Sequence, residues 1–329
     1  MPLIDHSFYK PPVYLRNGHL QILLTTLLRQ PESLQYQRER IETPDGDFLD
    51  LDWLRQDSPR LAILCHGLEG NSRSSYILGM AAALYRRGWD VLAWNFRSCS
   101  GTMNRTSRFY HSGATDDLET VLKQTAQSHP AQQIALIGFS LGGNLLLKYI
   151  GERPPDARIT KAVAFSVPID LSSSARQLAQ PQNRIYMRHF LKSLREKVLL
   201  KKLILPSHLR FDQLSKIRTF HEFDEYFTAP LHGFKSAEDY YLRCSAIHYF
   251  SGIQIPTLLV NARNDPFLSP ACFPTEIAQK HPYLYLETPS FGGHCGFLPE
   301  DRQGECWSES RALAFLEEEH FAEEKLVQF

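Results

Sequence analysis

Residues 134–149 constrain the fold most, because a short apolar run there breaks into G-x-S-x-G and then continues with helical spacing. The serine of this motif is Ser140, and its glycines are Gly138 and Gly142. A strand that turns into a helix within a few residues holds its central residue in a strained conformation, and glycine is needed where side chains would collide. The pattern is typical of a nucleophile elbow, which lifts the serine hydroxyl clear of the sheet edge.

Short apolar runs alternate with helical patterns on both sides of this motif. Such alternation predicts an α/β fold in which helices cover both faces of a mostly parallel, doubly wound sheet. We predict strands near residues 61–66, 90–96, 133–139, 160–167, 255–261 and 283–288. We predict helices near residues 74–87, 115–128, 142–151, 270–280 and 308–325. Ahead of them, residues 35–42 and 48–54 flank a turn that contains Asp45-Gly46, which predicts an antiparallel hairpin.

The interval from about residue 170 to 250 breaks this rhythm, because it holds several helical patterns and no clear strand. Its apolar residues recur at helical spacing, as in Met187, Phe190, Leu191, Leu194 and Val198. We interpret the interval as a helical cap inserted into a core of about residues 35–169 and 251–329. Core, cap and N-terminal extension would then form one domain over residues 1–329.

The N-terminal extension, residues 1–34, carries leucines at helical spacing between Leu20 and Leu28. This spacing favours an amphipathic helix that packs on the main domain. Two alternatives stay open, namely a hydrophobic flap beside a substrate entrance and a peripheral contact with a membrane surface.

Composition excludes several classes of function. Lysine plus arginine and aspartate plus glutamate both number 36, so no net charge favours nucleic acid as a partner. The six cysteines show neither C-x-x-C nor a metal-ligand spacing, so we expect no metal, and a reducing, cytoplasmic compartment. No dinucleotide or phosphate-loop motif predicts a cofactor, and no apolar run predicts a signal peptide or a membrane span. The sequence does not indicate an oligomeric state.

A serine nucleophile needs a base within hydrogen-bond reach and a group that orients the base. After an elbow of this type, the expected order along the chain is serine, then a carboxylate, then histidine. Asp265 follows the predicted strand near 255–261, at the edge where doubly wound sheets bind ligands. His294 follows the last predicted strand, between Gly293 and Cys295 in a glycine-rich loop that must approach other groups closely. We therefore predict that Ser140, Asp265 and His294 form a catalytic triad.

An oxyanion hole completes such a site, and it uses the N–H of the residue after the nucleophile plus one from an early loop. Leu141 would supply the first N–H, and Leu68, in the loop His66-Gly67-Leu68-Glu69-Gly70, would supply the second. We expect His66 to be structural. Polar residues also follow the predicted strand near 90–96, and we expect most of them to brace loops: Arg97, Asn104, Arg105, Tyr110 and His111.

Several segments together resemble the YheT-like branch of the α/β-hydrolase superfamily, over about residues 10–320. They are Asn17-Gly18-His19-Leu20-Gln21, His66-Gly67-Leu68-Glu69-Gly70, Asn95-Phe96-Arg97, Tyr110-His111-Ser112-Gly113, Gly138-Phe139-Ser140-Leu141-Gly142-Gly143-Asn144 and Thr219-Phe220-His221-Glu222-Phe223-Asp224. The resemblance implies an α/β-hydrolase fold, the triad Ser140, Asp265 and His294, and activity as a carboxylesterase, a lipid-ester hydrolase or an acyltransferase. One departure is Ser98, where the resemblance leads us to expect glycine.

The leading hypothesis is a serine hydrolase that cleaves small or weakly amphiphilic carboxylic esters of short to medium acyl chains through an acyl-enzyme. Acyl transfer to an alcohol and hydrolysis of lipid esters are the alternatives within catalysis. A binding protein that keeps the fold without turnover is the alternative outside it.

Overall fold

The computed structural model describes residues 3–4, 7–29, 33–154, 156–298 and 305–318. Within them, nine strands form one sheet. The strands are Leu3–Ile4 (β1), Gln37–Glu42 (β2), Phe48–Leu54 (β3), Arg60–Cys65 (β4), Asp90–Asn95 (β5), Gln133–Phe139 (β6), Ile159–Phe165 (β7), Thr257–Val260 (β8) and Leu284–Glu287 (β9). Their spatial order is β1-β9-β8-β7-β6-β4-β5-β3-β2. The β2–β3 and β3–β5 pairs are antiparallel and all the others are parallel, which confirms the mostly parallel sheet and its N-terminal hairpin.

The helices cover the two faces of the sheet and fill the interval between β7 and β8. They are Gly18–Leu28 (α1), Ser75–Arg86 (α2), Thr115–Ser128 (α3), Leu141–Glu152 (α4), Leu171–Leu178 (α5), Arg184–Leu200 (α6), Phe220–Phe223 (α7), Ala229–Leu231 (α8), Ala237–Cys244 (α9), Thr275–Lys280 (α10) and Trp307–Glu317 (α11). A single π-helical turn, Asp224–Thr228, lies between α7 and α8. The helices α5 to α9 confirm the inserted helical cap, whereas the exact boundaries of core and cap stay a prediction.

Alternate residues of the central strands enter two different apolar clusters. In β4, Leu61 and Ile63 pack on one side of the sheet, whereas Ala62 and Leu64 pack on the other. Because side chains point to opposite faces in turn, a strand covered on both faces reads as a continuous apolar run. This is why the central strands could be predicted to within a few residues. The cap has an apolar cluster of its own, around Met187, Leu191 and Phe227.

Two predicted helices differ from the structure. The helix predicted near 270–280 is a short 3₁₀ turn, Pro270–Cys272, followed by α10. Pro274 interrupts it, because proline lacks an N–H and disfavours a helical conformation at the preceding Phe273, whose φ and ψ are −118° and 76°. The helix predicted near 308–325 ends at Glu317 as α11, and residues 319–325 of that prediction lie outside the described residues.

The described helices include none with both the length and the apolar composition needed to cross a bilayer. All six cysteines carry free thiols, five of them buried.

Candidate active site

Ser140 occupies the turn between β6 and α4, with a φ of 52° and a ψ of −120°. Its N–H donates to the Phe165 carbonyl at 2.9 Å. Glycine is required at both flanking positions because other atoms lie too close for a Cβ, and not because of the glycines' own dihedral angles. A Cβ on Gly138 would lie 2.7 Å from the Gly142 carbonyl oxygen, and a Cβ on Gly142 would lie 2.4 Å from the carbonyl oxygens of Cys65 and His66. The strained turn therefore packs directly against the end of β4 and the loop that follows it.

Ser140, His294 and Asp265 lie in one hydrogen-bonded chain. The His294 Nε2 atom is 2.9 Å from the Ser140 hydroxyl, and the His294 Nδ1 atom is 2.8 Å from Asp265 Oδ2. Because an ionised carboxylate can only accept, Nδ1 carries the proton, and Nε2 is left to accept from the serine. The Asp265 side chain has no exposed surface, and its Oδ1 atom accepts the Phe267 N–H at 2.9 Å. Each carboxylate oxygen therefore accepts a hydrogen bond, and together the two bonds fix the orientation of the Asp265 carboxylate relative to the imidazole.

The loop after β4 carries Leu68, and its backbone N–H has no acceptor in the part of the chain that the structure describes, as is also true of Leu141. Both residues line the same cavity as Ser140. His66 holds this loop, since its Nε2 accepts the Phe96 N–H at 3.1 Å and its Nδ1 donates to the Gly67 carbonyl at 2.7 Å. Burial lowers the pKa of His66 to about 3, so the ring is neutral and braces the loop.

A family model described as the alpha/beta hydrolase fold matches residues 62–301, a span that includes Ser140, Asp265 and His294. The chain belongs to the α/β-hydrolase family. It falls in the YheT-like branch, since it is 35% identical to YheT of Escherichia coli over 91% of this chain and 90% of that protein. It is also 30% identical to phospholipase ABHD3 of Bos taurus, over 90% of this chain and 74% of that protein. Among solved structures, the esterase Pf2001 of Pyrococcus furiosus shares the fold at 20% identity, with a TM-score of 0.58 over 88% of this chain and 97% of that one.

In this YheT-like chain, the N-terminal helix α1 connects the loops that carry Asp265 and His294. The Gln21 side-chain oxygen accepts from the Gly292 N–H at 2.9 Å and from the Asn264 amide at 3.0 Å. The Asn264 oxygen in turn accepts the Gly293 N–H at 2.9 Å. A Cβ on Gly18 would lie 2.1 Å from the Asn264 carbonyl oxygen, so glycine permits the approach. Within the N-terminal extension, Gly18–Leu28 therefore forms a helix that packs on the main domain and braces both loops of the site.

Sequence reasoning missed the role of Gln21, because the residues it bonds are remote in the chain and no local pattern marks them. The signal that could have found it is the polar Gln21 among the leucines of an apolar helix. The amide is fully buried, and its nitrogen donates to the Tyr9 hydroxyl at 3.2 Å. A buried glutamine is retained in such a place only where its oxygen and nitrogen are both bonded.

Replacement of this side chain by a similar apolar one is therefore expected to disturb the site without removing any reacting group. In Gln21→Leu, the Gly292 N–H and the Asn264 amide lose their acceptor, so the His294 loop is held less firmly. We expect kcat to fall about 10- to 100-fold with little change in KM, because small displacements of a catalytic base cost about that much. The control is Gln127→Leu at an exposed position of α3. A Gln21→Leu protein with wild-type kcat would show that the loops hold their positions without this amide.

A second set of contacts ties the cap to the Leu68 loop. The buried Glu69 carboxylate accepts from Lys197 Nζ at 2.8 Å and from the Tyr110 hydroxyl at 2.6 Å, and it also accepts from the Ser193 hydroxyl. Lys197 and Ser193 belong to α6 of the cap, and Glu69 has a φ of 55°. Burial alone would lower the pKa of Lys197, but the neighbouring Cys99 and Glu69 raise it, so the amine stays charged. The cap thus holds the residue next to Leu68 in an unfavourable backbone region.

The polar residues that follow β5 divide into two groups. Arg97 is buried and binds Asp45 and Asp117, while Asn104 and Arg105 bind Asp47 and Glu42. These contacts brace loops, as predicted. Tyr110 and His111 instead line the cavity beside Ser140, and burial lowers the pKa of His111 well below its usual range.

Ser98 adopts a φ of 62°, a region that favours glycine. The family resemblance leads to the expectation of glycine at this position. The serine is held there by Asn104, since its hydroxyl accepts the Asn104 N–H at 3.1 Å and its own N–H donates to the Asn104 side chain. Asn104 in turn bonds Asp47 and the Phe48 carbonyl, so the described hydrogen bonds of Ser98 and Asn104 involve none of Ser140, Asp265 and His294.

A cavity of about 750 Å³ opens onto Ser140 and His294. Ile22, Leu23 and Leu27 of α1 line this cavity. Aromatic side chains of the cap also line it, namely Phe190, Phe220, Phe223 and Phe227. The size is within the range of about 300–1,000 Å³ typical of small-molecule sites. The arrangement therefore places a largely apolar cavity next to a serine hydroxyl and its hydrogen-bonded imidazole.

Proposed function

We propose that this protein is a serine hydrolase that cleaves carboxylic esters through an acyl-enzyme intermediate. The observation that carries the proposal is the hydrogen-bonded series Ser140, His294 and Asp265, which ends in an apolar cavity. The Ser140 oxygen attacks the ester carbonyl while His294 Nε2 takes the hydroxyl proton, and Asp265 stabilises the imidazolium that forms. The Leu68 and Leu141 N–H groups donate to the oxyanion of the tetrahedral intermediate, and α4 directs the positive end of its dipole toward it.

The intermediate collapses when the carbon–oxygen bond to the alcohol breaks and His294 returns its proton to the departing oxygen. Water then attacks the acyl-enzyme as His294 takes one of its protons. A second tetrahedral intermediate releases the carboxylic acid and restores the Ser140 hydroxyl. The family's hydrolase fold and the phospholipase among its relatives support ester hydrolysis as the type of reaction.

The cavity supports esters of short to medium acyl chains. Each methylene that enters an apolar site contributes about 0.8 kcal/mol, so added carbons should raise specificity until the apolar part is full. The cavity wall is not apolar throughout, because His111, Asp224 and Lys197 also line it. A long chain would have to place methylenes against these polar groups, at a cost.

A series of p-nitrophenyl esters tests this proposal. We expect kcat/KM to rise from the acetyl ester to a short or medium acyl ester, several-fold per added carbon, and then to fall. The measurement is the initial rate of p-nitrophenol release below the critical micelle concentration of each ester. A flat profile, or a steady rise to long-chain emulsified lipids, would contradict the proposed substrate class.

Hydrolysis of lipid esters is the second candidate, and exposed leucines favour it. Leu23 and Leu27 of α1 line the cavity and are also exposed, so an apolar surface continues from the cavity to the outside. The ABHD3 relative is named as a phospholipase. Acyl transfer uses the same acyl-enzyme with an alcohol in place of water. Product analysis with and without added alcohol separates transfer from hydrolysis, and a long-chain optimum in the ester series would favour the lipid substrate.

A further inference from the structure

The cap contributes one acidic side chain to the cavity, Asp224, whose position suggests contact with the substrate. Asp224 opens the π-helical turn that follows α7 and belongs to the Thr219-x-x-Glu222-Phe223-Asp224 segment. Single π turns of this kind occur often at functional sites. The side chain is half-buried by surface area, yet it is enclosed enough for burial to raise its pKa to about 6. Partial exposure and strong enclosure are compatible when the accessible surface of a side chain faces a cavity. Asp224 is one of the residues that line the cavity.

The protein supplies two neutral donors to this carboxylate. The Thr228 hydroxyl donates to Oδ1 at 2.6 Å, and the Tyr241 hydroxyl of α9 donates to Oδ2 at 2.7 Å. Each carboxylate oxygen can accept two hydrogen bonds, so one site on each oxygen is left. The two donors fix the plane of the carboxylate. The second lone pair on each oxygen remains able to accept a hydrogen bond from a ligand in the cavity.

No lysine or arginine forms an ion pair with Asp224 within the described part of the chain. Lys197 also lines the cavity, but it is bound to Glu69. The imidazole of His221 acts on the Asp224 carboxyl through its charge only when it is protonated, and it lies 3.6 Å from the Glu238 carboxylate. An enclosed carboxylate without a countercharge is unfavourable, because burial costs a charged group several kcal/mol unless it is paired.

We propose that Asp224 is a specificity-determining residue that binds a protonated amine on the ester substrate. The amine would supply the countercharge that the protein does not, and it would donate to the lone pairs left by Thr228 and Tyr241. Phe220, Phe223 and Phe227 beside it exclude water and accommodate the methylenes that lead to the amine. This inference rests on the proposed function, since it names the class of ester that the same cavity takes.

Isosteric ester pairs that differ in one group test the proposal, because an ammonium and a methyl are nearly equal in size. On the acyl side the pairs are p-nitrophenyl 6-aminohexanoate with heptanoate, and 8-aminooctanoate with nonanoate. On the alcohol side the pair is 4-(aminomethyl)phenyl hexanoate with 4-ethylphenyl hexanoate.

We expect at least one amino ester to exceed its alkyl partner in kcat/KM at pH 8. We expect Asp224→Asn to lower that ratio about tenfold or more, since it removes the charge and keeps the shape.

The matched control is Asp212→Asn, which removes an exposed carboxylate of the cap that is paired with Arg210 and should leave the ratio unchanged. Turnover of the alkyl esters by the wild-type protein tests the proposed function separately. If no alkyl ester is cleaved, the proposed function is wrong. If alkyl esters are cleaved and every amino ester is the poorer substrate at pH 8, the proposal for Asp224 is wrong. The neutral ester p-nitrophenyl 6-hydroxyhexanoate gives a further comparison. If it alone is preferred over the alkyl ester, the proposal is wrong. The proposal is also wrong if Asp224→Asn leaves the ratio of amino to alkyl ester unchanged.

A second measurement needs no Asp224 variant and so remains decisive if that variant fails to fold. With a carboxyl pKa of about 6, the ionised fraction rises from about a tenth at pH 5 to nearly all at pH 8. The wild-type ratio of amino to alkyl ester should therefore rise about tenfold over this range. The titratable groups that interact with the Asp224 charge are His221 on α7 and Tyr240 and Tyr241 on α9, and burial raises the pKa of both tyrosines beyond this range. His111, His232 and Lys197 line the same cavity, and burial lowers the pKa of both histidines, while Lys197 is bound to Glu69. The variant His221→Gln separates the contribution of that imidazole, and a pH effect on the chemical step common to both esters cancels in the ratio. A ratio that does not change with pH would contradict the proposal.

Discussion

Ser140→Ala is expected to lower kcat/KM for the best p-nitrophenyl ester by at least about 10³-fold, and by as much as about 10⁶-fold, because it removes the atom that forms the acyl bond. The His294 imidazole and the oxyanion N–H groups would remain, but they have no nucleophile to activate. The change deletes one hydroxyl and leaves the strained turn with a residue of almost the same volume. The fold should therefore survive, with a melting temperature within a few degrees of the wild type.

The matched control for this variant is Ser215→Ala, an exposed serine of the cap. A fluorophosphonate probe gives an independent readout, because it reacts with an activated serine irrespective of the substrate. Wild type and Ser215→Ala should be labelled, whereas Ser140→Ala should not. Ordinary turnover by purified, folded Ser140→Ala would contradict the mechanism. Unlabelled wild-type protein would instead favour a binding protein that has kept the fold without turnover.

The strands and the elbow were predictable because their signals are local. A strand buried on both faces must be apolar at every position, as in Leu61-Ala62-Ile63-Leu64, and this pattern needs no knowledge of its neighbours. The elbow is recognisable from its local G-x-S-x-G pattern, although the atoms that exclude a side chain at Gly142 belong to Cys65 and His66, far earlier in the chain. The proximity of Ser140, Asp265 and His294 could be predicted because the carboxyl ends of parallel strands meet at one edge.

The contacts that position these residues were not predictable, because their partners are distant in the chain. Gln21 bonds Gly292 across 271 residues, and Lys197 bonds Glu69 across 128. Nothing at either position signals its partner, since a buried polar side chain is explained only by the groups around it. The break at Pro274 follows from a local signal, because proline disfavours a helical conformation at the residue before it.

The roles of Asp265 and His294 stay predictions, and one substitution tests the link between them. Asp265→Asn is expected to reduce kcat about 10⁴-fold with little change in KM, the size of effect seen when a triad carboxylate becomes an amide. The reason lies in the imidazole tautomer. Asp265 accepts from the protonated Nδ1 of His294 and from the Phe267 N–H, and so keeps Nε2 free to accept. If the amide NH₂ of an asparagine faces Nδ1, that nitrogen must become the acceptor.

The proton then moves to Nε2 and points at the Ser140 hydroxyl, 2.9 Å away, so the ring can no longer take the serine proton. The measurement is steady-state kinetics on the best ester, with Asp212→Asn as the control that loses a carboxylate at an exposed site. Fluorophosphonate labelling should slow by a similar factor, because the probe needs the same activated oxygen. If Asp265→Asn keeps kcat within threefold of the wild type, another carboxylate must orient the imidazole, and Asp265 would then serve only to hold the Phe267 turn.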